Sequence, residues 1–108
     1  MTLAELYTAL KSINGFSQKV AYRAFSEEEA PALPFIVYYV DQSNNILADN
    51  KVYKGRQQVV VELYSANKDV ASEALVETML NNHDVPWEKY EEYIDDEHMY
   101  QISYEITI

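Results

Sequence analysis

The chain has 108 residues, a formal net charge of −10 and no cysteine, so we expect one domain (1–108) without disulfides or thiolate chemistry. The acidic balance argues against sequence-specific nucleic-acid binding, because neutralising phosphates requires clustered Lys and Arg. No stretch approaches the ~20 consecutive apolar residues of a membrane-spanning helix, and the N-terminus lacks the pattern of a signal peptide.

The chain begins with a predicted helix. Thr2 and Glu5 have the spacing of a capping box, in which each side chain bonds the backbone amide of the other residue. Apolar residues then recur at spacings of three and four, namely Leu3, Leu6, Tyr7, Leu10 and Ile13. This spacing predicts one apolar helical face, and Asn14-Gly15 predicts the end of the helix, since glycine suits a left-handed cap.

Two strands and a long connection are predicted next. Lys19–Phe25 suits a strand, and Ala30–Pro34 must be an extended connector because it contains two prolines. Phe35–Val40 is apolar at every position, which is typical of a strand covered on both faces, either by its own helices or by another subunit. Turn-forming residues flank the short apolar pieces of Asp41–Gly55, so we predict a long connection with the character of a hairpin arm.

Three further strands are predicted in the second half of the chain. Alternating β-branched residues in Arg56–Tyr64 predict a strand with one fully apolar face, while Trp87–Ile94 shows a weaker strand pattern. Tyr100–Ile108 alternates strictly between apolar and polar residues. Together the elements predict an α+β fold, a mainly antiparallel sheet backed by two helices in the order α-β-β-(hairpin)-β-α-β-β.

The second helix is predicted over Asp69–Asn82, with Asn67 as its N-cap. Its predicted inner face consists of Ala71, Leu75 and Met79, with Ala74 and Thr78 beside them, and its outer face of Ser72, Glu73, Glu77 and Asn81. His83 follows helix-stopping asparagines, so we predict that it caps the C-terminus, where the helix dipole favours a cation.

No motif in the sequence indicates catalysis or a cofactor. Asp95–His98 offers oxygens and an imidazole to a cation, but consecutive residues that enter a strand point in alternating directions, so we favour a solvated turn over a metal site. No serine lies in a Gly-x-Ser-x-Gly elbow, and two glycines are too few for a phosphate-binding loop. We therefore expect no enzyme activity, no cofactor and no metal.

Charge is unevenly distributed along the chain. Acidic residues cluster at Glu27, Glu28 and Glu29, and again at Glu88, Glu91, Glu92, Asp95, Asp96 and Glu97. Lys51, Lys54 and Arg56 form a small basic group. The acidic clusters suit solubility, and the separation of charge also permits head-to-tail contacts between identical subunits, which build rings when the rotation closes. The ten tyrosines suit either the core or an interface.

Several stretches resemble one family of phage proteins. They are Met1–Tyr7, Ala32–Tyr39, Ala48–Tyr53, Val61–Tyr64 and Met99–Ile106. In order and length the chain resembles the small tail-completion or tail-terminator proteins of long-tailed, non-contractile phages, especially prophages of Gram-positive bacteria. These stretches are packing patterns and carry no chemistry, so the resemblance supplies no catalytic residues.

The resemblance implies a structural role in the virion. Proteins of this family form a ring, commonly hexameric, that caps the tail tube, stops its polymerisation and offers a surface to the head connector or neck protein. Such a protein is assembled in the host bacterial cytoplasm. The implied subunit contacts are Phe35, Val37, Tyr39, Lys51, Tyr53, Lys54 and Arg56, and the implied acidic lumen or surface residues are Glu27, Glu28, Glu29, Asp95, Asp96 and Glu97.

Three other functions stay open at this point. A neck or head-completion protein would act in the same particle. A small regulatory module would use a tyrosine-rich sheet to bind a partner protein. An enzyme or metal-binding domain would be built on Asp95–His98. The oligomeric state separates the virion roles from the regulatory module, and a calorimetric metal titration tests the metal site.

Overall fold

A computed structural model describes residues 1–43, 45–48 and 51–108, and the side chains of residues 46–48 and 51–54 lie outside the described part. The helices are α1 (Leu3–Lys11) and α2 (Val70–Asn82), with a 3₁₀ turn at Asp95–Glu97. The strands are β1 (Val20–Tyr22), β2 (Phe35–Ser43), β3 (Ile46–Ala48), β4 (Lys51–Lys54), β5 (Gln57–Ser65), β6 (Trp87–Ile94) and β7 (Met99–Thr107).

The main sheet has five strands in the order β1-β2-β5-β7-β6. β1 runs parallel to β2, and every other neighbouring pair is antiparallel. Side chains of α1 and α2 share one core cluster with a single face of this sheet. The predicted α+β fold, a mainly antiparallel sheet backed by two helices, is confirmed.

The core forms where period-two strands meet period-3.6 helices. Val59, Val61 and Leu63 of β5 are fully buried and pack with Leu6 of α1 and Leu80 of α2. The same face continues into β7 through Ile102, Tyr104 and Ile106. β5 is the central strand of the sheet. The fully apolar face predicted for it is the face that the helices cover.

Helix α1 has the predicted capping box but ends earlier than predicted. The amide of Glu5 donates to Thr2 Oγ1 at 3.1 Å, and the amide of Thr2 donates to Glu5 Oε1 at 3.0 Å. Hydrogen bonding of the Thr2 backbone amide, and then of the Thr2 side chain, to the Glu5 carboxylate lowers the pKa of that group. The helix ends at Lys11, with Ser12 as its cap, and Gly15 adopts the expected left-handed backbone (φ 90°) in the turn that follows.

Helix α2 is rotated relative to the sequence prediction. Its N-cap is Asp69 and not Asn67, since the Asp69 carboxylate accepts hydrogen bonds from the amide and hydroxyl of Ser72. The buried residues are Ser72, Glu73, Val76, Met79 and Leu80, whereas Ala71, Ala74, Leu75 and Thr78 are exposed. The predicted inner face was wrong at every position except Met79. Val76 and Leu80 pack in the core instead, and Glu73 on the same side of the helix is ion-paired with Lys68 and Lys89.

The strand predicted over Lys19–Phe25 is only three residues long. Arg23 has a left-handed backbone (φ 67°), which turns the chain away from the sheet after Tyr22. The backbone of Arg23 still donates to the Tyr38 carbonyl at 2.8 Å, so the turn remains attached to β2.

The connection between β2 and β5 is a two-stranded arm. β2 and β5 pair as far as Ser43 and Gln57, and β3 pairs antiparallel with β4, so the described strands between Phe35 and Ser65 are arranged as one long hairpin. The pairing register shifts between Val40 and Gln42, where a bulge bends the strand. The predicted hairpin character of Asp41–Gly55 is confirmed for its described backbone.

Candidate interaction surfaces

The sheet face opposite the helices has its own apolar side chains. Val37 of β2 and Val60 of β5 are only 4% and 7% exposed, yet neither belongs to the helix-covered core cluster. They belong to the alternate set of strand positions, which points away from both helices. We call this side of the sheet the open face.

An aromatic strip lies on the same face of the sheet as these two valines. Phe35 lies between Phe25 and Tyr64, with both ring-centroid distances equal to 5.3 Å. The guanidinium of Arg23 lies 4.9 Å from the ring centroid of Tyr39, a distance suited to a cation–π contact. The aromatic strip (Phe25, Phe35, Tyr39 and Tyr64) is half-buried and gives the open face apolar side chains on both sides of Glu62.

A carboxylate lies beside this strip. Glu62 is 9% exposed and accepts a hydrogen bond at 3.1 Å from the Tyr64 hydroxyl. The side-chain amide of Gln101 donates to Glu62 and, at 3.0 Å, to the Tyr64 hydroxyl. Burial and the neighbouring Glu62 raise the pKa of the Tyr39 and Tyr64 hydroxyls. Both tyrosines therefore keep their protons and present donors to this carboxylate.

The hairpin arm leaves the sheet at one end. Where it joins the sheet, the amide of Arg56 donates to Asn45 Oδ1 at 3.1 Å. A cleft of about 870 Å³ lies there, lined by both termini, this junction and the turn after α2. Lys51, Tyr53 and Lys54 lie on β4, but their side chains are outside the described part of the chain.

The acidic turn lies at the other end of the sheet from the arm. Asp95, Asp96 and Glu97 are exposed on the 3₁₀ turn that joins β6 to β7. The register places this turn beside the strand ends at Phe35 and Ser65, whereas the arm leaves beside Ser43 and Gln57. Glu27, Glu28 and Glu29 are also exposed. The arm that contains Lys51 and Lys54 and the acidic turn therefore lie at opposite ends of the sheet.

A buried ionic network connects α2 to β6 and β7 on the covered side. Glu73, only 4% exposed, lies 2.7 Å from Lys68 Nζ and 3.3 Å from Lys89 Nζ. Lys89 also donates to Glu77 at 2.9 Å, and the buried Tyr104 hydroxyl donates to the same carboxylate at 2.7 Å. Predicting Glu73 and Glu77 as outward-facing was therefore wrong.

Hydrogen bonds in this network favour the charged forms of Lys68, Glu77 and Lys89. Hydrogen bonds to the glutamates raise the pKa of Lys68 and Lys89. Burial alone would raise the pKa of Glu77, but hydrogen bonds from Tyr104 and Lys89 hold it below its ordinary value. Burial and Glu77 raise the pKa of Tyr104. These ion pairs hold α2 against the sheet through Lys89 of β6 and through Lys68, which precedes the helix.

Asp95–His98 and His83 are the remaining residues considered in the sequence for metal binding or helix capping. Within residues 1–43, 45–48 and 51–108, no group of three or more Asp, Glu or His side chains converges on a metal-sized position, and this includes Asp95–His98. His83 caps α2 as predicted, with Nδ1 2.9 Å from the Met79 carbonyl oxygen. No helix in the described residues is long and apolar enough to cross a bilayer.

The structure unites three predicted contact residues and adds others. Phe35, Val37 and Tyr39 share the open face, while Arg56 is half-exposed at the base of the arm. The sequence prediction missed Val60 and Tyr64, although their position on the polar side of Arg56–Tyr64 was a usable signal. No protein-family model and no curated protein matches this sequence.

Proposed function

We propose that this protein is a non-enzymatic virion subunit, a tail terminator or head–tail joining component that assembles with copies of itself into a ring on the tail tube. The observation that carries the proposal is the open face, where an aromatic strip and two buried valines lie on the side of the sheet that has no helix. The resemblance of the sequence to tail-completion proteins supplies the identity of the particle.

The open face has the size and character of a subunit contact. Five strands spaced about 4.8 Å apart, over a length of about 25 Å, present roughly 600 Å². A stable interface buries about 800 Å² on each partner, so this face and the arm together reach the required size. Tyrosine and phenylalanine are also the residue types enriched at such contacts.

The fold makes assembly possible without catalysis. The sheet and both helices form a complete core on one side, so the open face and the arm are left for contacts with other molecules. A ring of such subunits would occupy the last surface of the tail tube and present a different surface above it, which stops further addition. The mechanism is geometric and requires no cofactor.

The net charge of −10 sets a condition on this assembly. Identical acidic subunits repel one another at low salt, so a ring needs localised apolar contacts or local contacts between opposite charges. The aromatic strip supplies the first and the basic arm the second. We therefore expect assembly to depend on protein concentration and on ionic strength.

Two other functions would use the same surfaces. A neck or head-completion protein would form a ring on the head side of the joint. A regulatory binding module would use the open face to hold one partner protein, and the aromatic strip fits that use as well. The module would remain monomeric with its face exposed, so oligomeric state separates it from both virion roles.

The proposal is tested by the molar mass of the purified protein, measured by light scattering over a concentration series, with electron microscopy of any large species. We expect a closed ring of constant mass, either in solution or on the ends of polymerised tail tubes. Tyr39→Ala on the open face should weaken assembly, and Tyr7→Ala on the outer side of α1 should not. A protein that stays monomeric throughout and does not bind tube ends would refute the proposal.

A further inference from the structure

The sheet has one long strand edge that no other strand covers. β6 is the last strand in the sheet order and pairs only with β7 among the described strands, so the outer N–H and C=O groups along its eight residues have no strand partner there. The opposite edge strand, β1, is three residues long and ends where Arg23 turns away. Long uncovered edges are templates for pairing with another chain.

The side chains of β6 are unusually accessible for a sheet strand. All six residues from Glu88 to Tyr93 are exposed, with Tyr90 at 56% and Tyr93 at 44%. The free edge is therefore reachable from both faces of the sheet. Exposed tyrosines along a strand edge offer apolar contact area to an added strand, and their hydroxyl groups keep the edge partly polar in the free protein.

The charge of this edge decides which strand suits it. Glu88 lies directly opposite Glu105 on β7, a like-charge pair that an added cation would relieve. Two β6 edges paired with each other would bring together Glu88 and Glu92 from both copies. The other two charges of β6 are paired within the chain, Glu91 with Lys68 and Lys89 with Glu73 and Glu77. The acidic side chains thus disfavour symmetric pairing and favour a basic strand.

The chain contains such a strand in its own arm. β4 has the sequence Lys51-Val52-Tyr53-Lys54, and two of the eight basic residues of the chain lie on it. Among the other basic residues, Lys68 and Lys89 are bound in the ionic network, Arg23 lies over Tyr39 and Lys11 lies over Tyr7. β3–β4 is a two-stranded sheet of its own, so β4 has an unpaired side in the described structure.

β4 cannot reach the free edge of its own β6. The arm extends from β2 and β5, and β7 and β6 itself lie between β5 and the free side of β6, which faces away from the arm. At strand spacings of about 4.8 Å, the edge is on the far side of the sheet. The partner of the edge must come from outside the molecule.

From this geometry we infer that β4 of one copy adds to the β6 edge of the next copy, extending the sheet from subunit to subunit. The contact rests on the proposed function and adds the β6 edge to the open face and the arm as a surface through which the ring forms. It is heterologous, because a different element contributes from each side, so it continues around a ring instead of stopping at a dimer. Main-chain hydrogen bonds would supply affinity, and the opposed charges would select the register.

Disulfide trapping tests the contact directly, because the natural chain has no cysteine. Tyr53→Cys is combined in turn with Tyr90→Cys, Glu91→Cys and Glu92→Cys, which covers both faces and a shift in register. Paired strands bring Cα atoms about 4.5–5.5 Å apart, within the range of a disulfide. We expect at least one pair to give an oxidised ladder longer than a dimer at high protein concentration. Tyr53→Cys with Glu28→Cys is the matched control and should give none.

A charge exchange provides the second test. Lys51→Glu with Lys54→Glu, and separately Glu88→Lys with Glu92→Lys, should each weaken self-association roughly tenfold at low salt. All four changes together should restore it to within about threefold, because the charges are again opposite. Glu27→Lys with Glu28→Lys makes the same change in net charge away from the edge and should not rescue the arm variant.

The outcomes separate this contact from the proposed function. Absence of a ladder in all three cysteine pairs, with rings still seen on tubes, overturns the contact and leaves the ring. A ladder that ends at dimers also overturns it, since a head-to-tail contact must continue. A ladder without rings or tube binding supports the contact and refutes the virion role.

Discussion

The two faces of the five-stranded sheet are made by the same strands and differ in what covers them. On the covered face Val59, Val61 and Leu63 lie under both helices and are fully buried. On the open face Val60 lies opposite Tyr39 of the aromatic strip and outside the helix-covered cluster. The difference shows that the helices cover one face only, so the half-buried aromatic residues of the other face remain partly exposed.

The polar groups of the two faces differ in the same way. Each face has a tyrosine hydroxyl bonded to a glutamate, Tyr104 to Glu77 on the covered face and Tyr64 to Glu62 on the open face. Glu77 is also ion-paired with Lys89, whereas Glu62 takes part in none of the ion pairs found among the described residues. Lys89 neutralises Glu77 on the covered face, whereas Glu62 on the open face accepts hydrogen bonds from the neutral side chains of Tyr64 and Gln101.

The largest expected effect tests the covered face through helix α2. Leu80 is fully buried, and Leu75, on the same helix, is 41% exposed. Leu80→Ala should lower the free energy of unfolding by about 3 kcal/mol, because it removes buried methyl groups and leaves a cavity. Leu75→Ala should change it by less than about 0.5 kcal/mol. Urea denaturation measures both, and equal losses would contradict the observed helix rotation.

Two adjacent valines of β5 compare the faces most directly. Val61→Ala removes buried methyl groups beneath the helices and should cost about 2 kcal/mol. Val60→Ala on the open face should cost about 1 kcal/mol, since no helix packs against it. The same urea experiment provides the values. If Val60→Ala proves as costly as Val61→Ala in the monomer, the open face belongs to the core.

The two tyrosine hydroxyls test the polar difference. Tyr104→Phe should cost about 1–2 kcal/mol, because the partly buried Glu77 carboxylate loses one of its two donors and keeps only Lys89. Tyr64→Phe should cost about 0.5 kcal/mol, since Gln101 remains bonded to Glu62 and the site is partly solvated. Thermal unfolding of both variants at neutral pH checks the ranking. A larger loss for Tyr64→Phe would reverse it.

The smallest expected effect is on the acid dependence of stability. The pKa of Glu77 is lower in the folded protein than its ordinary value of 4.5. Its contribution is therefore complete above about pH 4.5 and is lost as the pH falls through the folded value. Glu77→Gln should reduce the slope of stability against pH below about pH 5. The control Glu28→Gln changes an exposed carboxylate and should keep the natural slope.

The lysines of the network set the alkaline limit with the opposite sign. Hydrogen bonds to the glutamates raise the pKa of Lys68 and Lys89 in the folded state. Their contribution is complete below the unfolded value of about 10.4 and is lost as the pH rises through the folded value. Between pH 6 and pH 9 the charges of this network should therefore add no pH dependence to the measured stability.

Local sequence patterns determined much of the fold. The capping box of α1, the hairpin character of Asp41–Gly55 and the cap at His83 each depend on neighbouring residues, and each is present in the structure. The alternation in β5 and β7 also predicted the covered face, because a period of two assigns side chains to faces without reference to the rest of the chain. The fold class followed from the order of these elements.

Only the tertiary structure decided which face of α2 is buried and which sheet face stays open. Glu73 is inside because it pairs with Lys68, just before α2, and with Lys89 of β6, and no local pattern encodes the contact with β6. The short β1 and the free edge of β6 likewise depend on the order of strands in the sheet. Charges and apolar residues were visible in the sequence, but their partners were not, since non-local packing determines the contacts of each side chain.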